Sequence, residues 1–253
     1  MPIARLGTVL GGDTPPWENI LEGKAGMGEI ITLAARDEHL FEAYVAWPSG
    51  GSSRGGLVVM QEVFGVNGHI RALVDRFAHE GYVTIAPAVF DRLERGVALD
   101  YGAEDLARGR ALRLALGWEK PFLDIEAARE YVAAEGGERT VGVVGFCWGG
   151  SLAWLSACRL PFQAAVCYYG GQIAQFLDEH SFCPVMMHFG RDDSIIPPAD
   201  QDAIMAAHPE VTCHLYAAGH GFNCDRREDF RPDCAQEAWS RTTAFLAGHL
   251  VRA

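Results

Sequence analysis

The chain has 253 residues, 49% of them hydrophobic, and 21 Lys+Arg against 33 Asp+Glu give a formal net charge of −12. That length and apolar content support a core without disulfide or metal staples and exclude a disordered or collagen-like chain. The acidic balance speaks against a nucleic-acid partner and against an anionic membrane surface. Seven cysteines with no C-x-x-C spacing point to a reducing compartment, hence a cytoplasmic location, and away from a disulfide framework or a zinc finger.

In chain order, residues 1–26 read as an irregular N-terminal extension around Pro15-Pro16, with no basic-then-apolar leader and with Met27 as an alternative start. Residues 27–253 read as one domain. Two strands, Glu29–Ala34 and Leu40–Ala46, precede a Gly/Ser-rich loop at Pro48–Gly56. A five-residue strand follows at Leu57–Gln61, then a helix carrying Ile70, Leu73, Val74, Phe77 and Ala78 at helical spacing, and a strand at Tyr82–Ala86. A long helix is expected over Leu114–Ala134, a strand at Thr140–Phe146 and a helix at Ser151–Leu160. The 19 residues Thr140–Cys158 carry no charge, but their glycines read as a turn between buried strand and buried helix rather than a membrane span. Strands at Ala164–Tyr169, Pro184–Phe189 and Val211–Tyr216, and helices at Asp200–Ala207 and Ala235–Leu250, complete the pattern. Short runs apolar on both faces, alternating with helices, predict an α/β fold: a mostly parallel central sheet with helices on both faces.

Gly145-Phe146-Cys147-Trp148-Gly149-Gly150 lies between a strand and a helix. It resembles the nucleophile elbow of the α/β-hydrolase fold, with Cys in place of Ser. The glycines let a sharp turn pack, and the helix N-terminus favours a thiolate. The competing reading is an ordinary core cysteine. In this fold the order is nucleophile, acid, His. Gly190-Arg-Asp192-Asp193-Ser-Ile-Ile-Pro197 follows a strand and offers two aspartates, of which Asp193 is the choice. His220, between Gly219 and Gly221 after the last strand, has a setting that the other eight histidines lack. His188 and His214 sit within strands and read as packed or surface residues. No metal-ligand spacing and no nucleotide fingerprint is present, so no metal and no cofactor is expected.

The chain from about residue 28 onward resembles the dienelactone hydrolase (carboxymethylenebutenolidase) family. The resemblance rests on Gln61-Glu-Val-Phe-Gly-Val-Asn67, Ala86-Pro-Ala-Val-Phe-Asp-Arg92, Gly145–Gly150, Tyr168-Tyr-Gly170, Gly190-x-x-Asp193-x-x-x-Pro197 and Ala218-Gly-His-Gly-Phe222. It implies a triad Cys147–His220–Asp193, Glu62 as acceptor of the thiol proton when substrate binds, and the Trp148 and Val63 amides as oxyanion hole. It further implies Arg92 as substrate-carboxylate arginine, with Phe64 and Tyr169 as further substrate contacts. The implied reaction is hydrolysis of a small carboxylate-bearing lactone or ester through a thioester acyl-enzyme, dienelactone to maleylacetate being the type, in degradation of aromatic compounds. The implied partner is that small molecule alone, with no nucleic acid and no membrane, the protein acting as a monomer or weak homo-oligomer. Two departures stand out. Gly221-Phe-Asn-Cys224 has no arginine where the family pattern carries a second carboxylate-binding one, though Arg226 and Arg227 lie just beyond, and Phe90 replaces a common tyrosine. A broader thiol esterase acting on neutral esters and a non-catalytic redox-sensing scaffold are the alternative readings.

Overall fold

The computed structural model of the protein describes residues 28–49, 53–136 and 140–250. The expected extension at 1–26 and the alternative start at Met27 lie outside the described residues. The strands are β1 (Glu29–Ala34), β2 (Leu40–Ala46), β3 (Gly56–Met60), β4 (Val83–Pro87), β5 (Val141–Phe146), β6 (Ala164–Tyr168), β7 (Val185–Gly190) and β8 (Thr212–Tyr216). They form one eight-stranded sheet in the order β1-β2-β4-β3-β5-β6-β7-β8. β1 and β2 pair antiparallel, β2 joins β4 antiparallel, and every other pairing is parallel. Every residue of β3, β4, β5, β6 and β7 is buried, which is why their sequences are apolar runs rather than alternations.

The helices are α1 (Gly68–His79), α2 (Ala103–Leu116), α3 (Pro121–Glu135), α4 (Trp148–Arg159), α5 (Pro198–Ala207) and α6 (Pro232–His249). α1 buries Ile70, Leu73, Val74, Phe77 and Ala78, the stripe its spacing predicts, and Asn67 Oδ1 caps it by accepting from the Ile70 amide. On one face α1 meets α6, where Phe77 packs on Trp239 at 4.4 Å and the Arg76 guanidinium lies 3.6 Å over the same indole. On the other face α3 meets α4, where Arg159 sits over Phe122. None of the helices among the described residues is long and apolar enough to cross a membrane.

Most element ends shift by one to three residues from expectation, and three differences matter to the fold around the site. The single helix expected over Leu114–Ala134 is two. Gly117, at φ 70°, ends α2, and Pro121 opens α3, where its missing amide proton costs nothing. α2 escaped notice because it buries only Gly109 and Leu116 and shows no apolar stripe. α4 begins at Trp148 rather than Ser151, because the elbow itself is the helix start. The strand expected to reach Tyr169 ends at Tyr168, since Tyr169 turns out of the sheet at φ 38°.

Parallel pairing puts the C-terminal ends of β3, β5, β6, β7 and β8 along one edge of the sheet. The segments that leave those ends carry Glu62, Cys147, Tyr169, Asp193 and His220 respectively. Open α/β sheets place their sites along this edge.

Candidate active site

Cys147 joins β5 to α4 at φ 55° and ψ −119°, a conformation that costs a non-glycine residue about 1–3 kcal/mol. The surrounding glycines make it possible. A Cβ on Gly145 would lie 1.8 Å from the Gly149 carbonyl oxygen, and one on Gly149 would lie 2.3 Å from the Met60 carbonyl oxygen. The second contact presses the start of α4, where Trp148 lies, onto the end of β3 and Gln61, just before the loop that carries Val63. Among the described residues neither of these two amides has a hydrogen-bond acceptor. The sulfur itself is half-buried.

His220 Nε2 lies 3.1 Å from Cys147 Sγ, and its Nδ1 donates to Asp193 Oδ2 at 2.8 Å. Asp193 is fixed in turn. Its Oδ1 accepts from the amides of Ile195 (2.8 Å) and Ile196 (3.1 Å), and Gln201 Nε2 ties the loop to the carbonyls of Gly190 and Ile196. Burial disfavours a charged His220, but the Cys147 sulfur and Asp193 outweigh it and push the imidazole up to about 10. The three residues therefore form a thiol–imidazole–carboxylate chain, with the imidazole held by two partners.

Glu62, on the loop after β3, is fully buried. Its Oε2 accepts from Tyr101 at 2.9 Å, and Asn67 Nδ2 donates to the same Tyr101 oxygen at 3.2 Å. Its Oε1 has no hydrogen-bond partner, and the Arg227 guanidinium stands off at 4.0 Å. Tyr169 packs edge-on against His220 at 5.2 Å, so it does reach the site. Phe64 is buried against Tyr101 at 4.5 Å and supports the loop behind Glu62. Phe90 stacks on Trp148 at 5.2 Å and fixes the first residue of α4.

Arg92 is engaged elsewhere. Its Nε and one terminal nitrogen donate to Asp124 at 2.8 and 2.7 Å, and both terminal nitrogens donate to Asp37 at 2.7 and 3.1 Å. The planar fork that would hold a substrate carboxylate already holds two carboxylates of this chain. Burial opposes its charge, yet Asp37 and Asp124 raise its pKa above the usual arginine value. Two other guanidiniums feel the site. Burial weakens the charge on Arg227, but Glu62 and Cys147 raise its pKa. Arg113, on α2, is held down by burial and lifted by Cys147, and it has no salt-bridge partner among the described residues.

The structure brings the sequence-named Cys147, His220 and Asp193 into contact with one another, and it adds Tyr101, His69 and Arg113, which the sequence did not single out. His69 and Tyr101 converge on Glu62 from α1 and from the loop before α2, with no motif linking them. Arg227 was only one of two candidates beyond Cys224.

The model of the dienelactone hydrolase family matches residues 41–250. The chain belongs to the dienelactone hydrolase family. Two named relatives agree. The carboxymethylenebutenolidase of Pseudomonas putida is 32% identical over 228 residues, covering 87% of this chain and 96% of that one. That of Pseudomonas sp. strain P51 is 30% identical over 230 residues, covering 86% and 94%. A crystal structure from Klebsiella pneumoniae named for dienelactone hydrolase superposes with a TM-score of 0.76 at 27% identity, covering 88% of this chain and 99% of that one. This dienelactone hydrolase family member is thus a hydrolase on the α/β-hydrolase fold.

Proposed function

We propose that the protein hydrolyses small lactones or esters bearing a carboxylate, with Cys147 as nucleophile. The observation that carries this reading is the hydrogen bond from His220 Nε2 to the half-buried sulfur, backed by Asp193. With its proton on His220, Cys147 attacks the substrate carbonyl as the thiolate of that pair. The oxyanion falls between the Trp148 and Val63 amides, an arrangement usually worth about 10²–10³ in turnover per donor. The imidazolium returns the proton to the departing oxygen and a thioester remains. His220 then takes a proton from water, whose oxygen attacks the thioester. The acid leaves and the thiol is restored. Glu62 is the second proton acceptor. Its buried, unpartnered Oε1 offers a base to a thiol that turns away from His220, so a free thiolate need not stand exposed to oxidants.

Carboxylate recognition falls to Arg227 and Arg113 rather than Arg92. Arg227 stands 4.0 Å from Glu62 Oε1 and Arg113 has no salt-bridge partner among the described residues, whereas Arg92 is bound to Asp37 and Asp124. The commitment of Arg92 also favours a second reading, hydrolysis of neutral esters.

The test is turnover of dienelactone and of aryl esters by wild type and Cys147→Ala, with mass spectrometry of a slow ester to catch the acyl adduct. Cys147→Ala should lose about 10³-fold or more in kcat, and the adduct should vanish. Wild-type turnover in the variant would overturn the nucleophile. Turnover of aryl esters alone would remove dienelactone and leave a thiol esterase.

A further inference from the structure

Beside the triad lies a second cluster that the proposed reaction uses only in part. Glu62, His69 and Cys224 each offer one ligand atom, and these atoms all lie within 4.8 Å of one another. They come from the loop after β3, the start of α1 and the loop after β8. Each residue also carries a spare polar atom. Glu62 Oε1 and His69 Nε2 are buried and have no hydrogen-bond partner, and Cys224 is a fully buried free thiol. Buried polar atoms are rarely left unpaired, and two in one spot call for a reason.

The opposite ends of the same side chains are held. His69 Nδ1 faces Asp225 Oδ1 at 3.6 Å, and Glu62 Oε2 takes the Tyr101 hydroxyl at 2.9 Å. A carboxylate behind the far nitrogen of a histidine, and a donor behind the far oxygen of a carboxylate, are the outer partners that orient metal ligands. One carboxylate, one imidazole and one thiolate neutralise a divalent charge, and the set suits a zinc-like ion. Bond lengths of about 2.0–2.3 Å would bring such ligands to roughly 3.3–3.8 Å apart, so the donors need to draw in by about 1 Å. The Arg227 guanidinium, 4.0 Å from Glu62 Oε1, opposes the cation, and it must move aside when the ion binds.

We propose that Glu62 Oε1, His69 Nε2 and Cys224 Sγ bind one divalent cation of the zinc class, with a fourth position left to water. Binding displaces the thiol proton and any proton on His69 Nε2. It also occupies the oxygen that the mechanism above leaves free, so the loaded protein hydrolyses more slowly. That consequence rests on the proposed role of Glu62; the binding does not.

Cobalt(II) reports the site directly. Titrated into metal-free protein in reducing buffer at pH 8, it should bind at one equivalent with thiolate-to-cobalt charge-transfer bands. Wild type and Cys147→Ala should both show the bands, and Cys224→Ser should lose them. His69→Gln should weaken binding at least 10-fold, the usual cost of losing a ligand's contribution. Bands that survive in Cys224→Ser but vanish in Cys147→Ala would put the ion on the nucleophile and overturn the site, as would no stoichiometric binding at all. Zinc should slow wild-type hydrolysis reversibly by chelator. A stoichiometrically loaded wild type with unchanged turnover would overturn the part given to Glu62 while the cobalt bands still stand.

Discussion

In the proposed reading two arginines separate substrate recognition from stability. Arg92 bridges Asp37, which is partly exposed, and Asp124, which is fully buried. Arg92→Met leaves the Asp124 charge buried without a partner, a change that typically costs about 3–5 kcal/mol. Its melting temperature should fall while its preference for anionic over neutral esters stays as in wild type. Arg227→Gln should do the opposite. It removes a charge that senses Cys147 and Glu62, and a lost hydrogen bond to a charged group is worth about 10- to 100-fold. kcat/KM for a carboxylated ester should drop by that factor while a neutral analogue is hardly affected. Steady-state kinetics on the matched pair of esters decides: equal losses on both would mean that Arg227 holds the site together rather than reading the substrate.

At the scale of elements, α2 is a piece that sequence did not show, and it packs on the loop of the proposed oxyanion hole. A Cβ on Gly109 would lie 2.1 Å from the Val63 carbonyl oxygen, so α2 presses its backbone against the loop that carries the Val63 amide proposed to hold the oxyanion. Alanine suits a helix better than glycine by about 1 kcal/mol, yet here it must push the loop away. Displacements of about 1 Å can cost up to 10²-fold in rate. Gly109→Ala should therefore lower kcat with little change in KM, since the oxyanion forms only in the transition state. Gly102→Ala, which meets nothing within 4 Å, should leave both unchanged; a Gly109→Ala enzyme with normal kcat would detach α2 from the oxyanion hole. The same contrast shows what the sequence could tell. β3 to β7 were legible because burial on both faces demands unbroken apolar runs, and the Cys147 elbow was legible because its glycines are dictated by contacts of 1.8 to 2.5 Å. α2 carries no such demand. Tyr101, 39 residues from Glu62 in the chain, meets it only because the fold closes, and no periodicity encodes that. Arg92 differs for a related reason: the motif fixes its place, but Asp37 and Asp124, 55 and 32 residues away, take up its guanidinium, and no periodicity shows that.

Across the whole molecule six histidines fall into two groups with opposite effects on stability. Burial disfavours charge on His69 and His220, but Asp225, Cys224 and Glu62 around the first, and Cys147 and Asp193 around the second, raise both to about 10. A raised histidine contributes fully below its unfolded value near 6.5 and loses that contribution as pH climbs toward 10. Burial lowers His39, His188, His208 and His214, with His214 and Arg241 adding to the effect at His188. His188 is held neutral between the Tyr216 and Thr242 hydroxyls, a packed residue rather than a catalytic one. A lowered histidine contributes above 6.5 and loses that contribution as pH falls, because the unfolded chain then takes up protons that the fold refuses. Folding stability should therefore peak near pH 6.5 and decline on both sides, before carboxylate protonation sets in below about 5 and thiol ionisation above about 8.5. Urea unfolding midpoints between pH 5 and 8.5 measure the peak. On the alkaline side the slope per raised histidine is at most roughly 1.4 kcal/mol per pH unit, and His220→Gln should remove about half of the total. On the acid side His188→Gln should flatten the curve and leave the alkaline limb alone. An alkaline limb that is identical in wild type and His220→Gln would show that the imidazole beside Cys147 is neutral at pH 7, and the first proton transfer of the proposed mechanism would then start from a thiol rather than an ion pair.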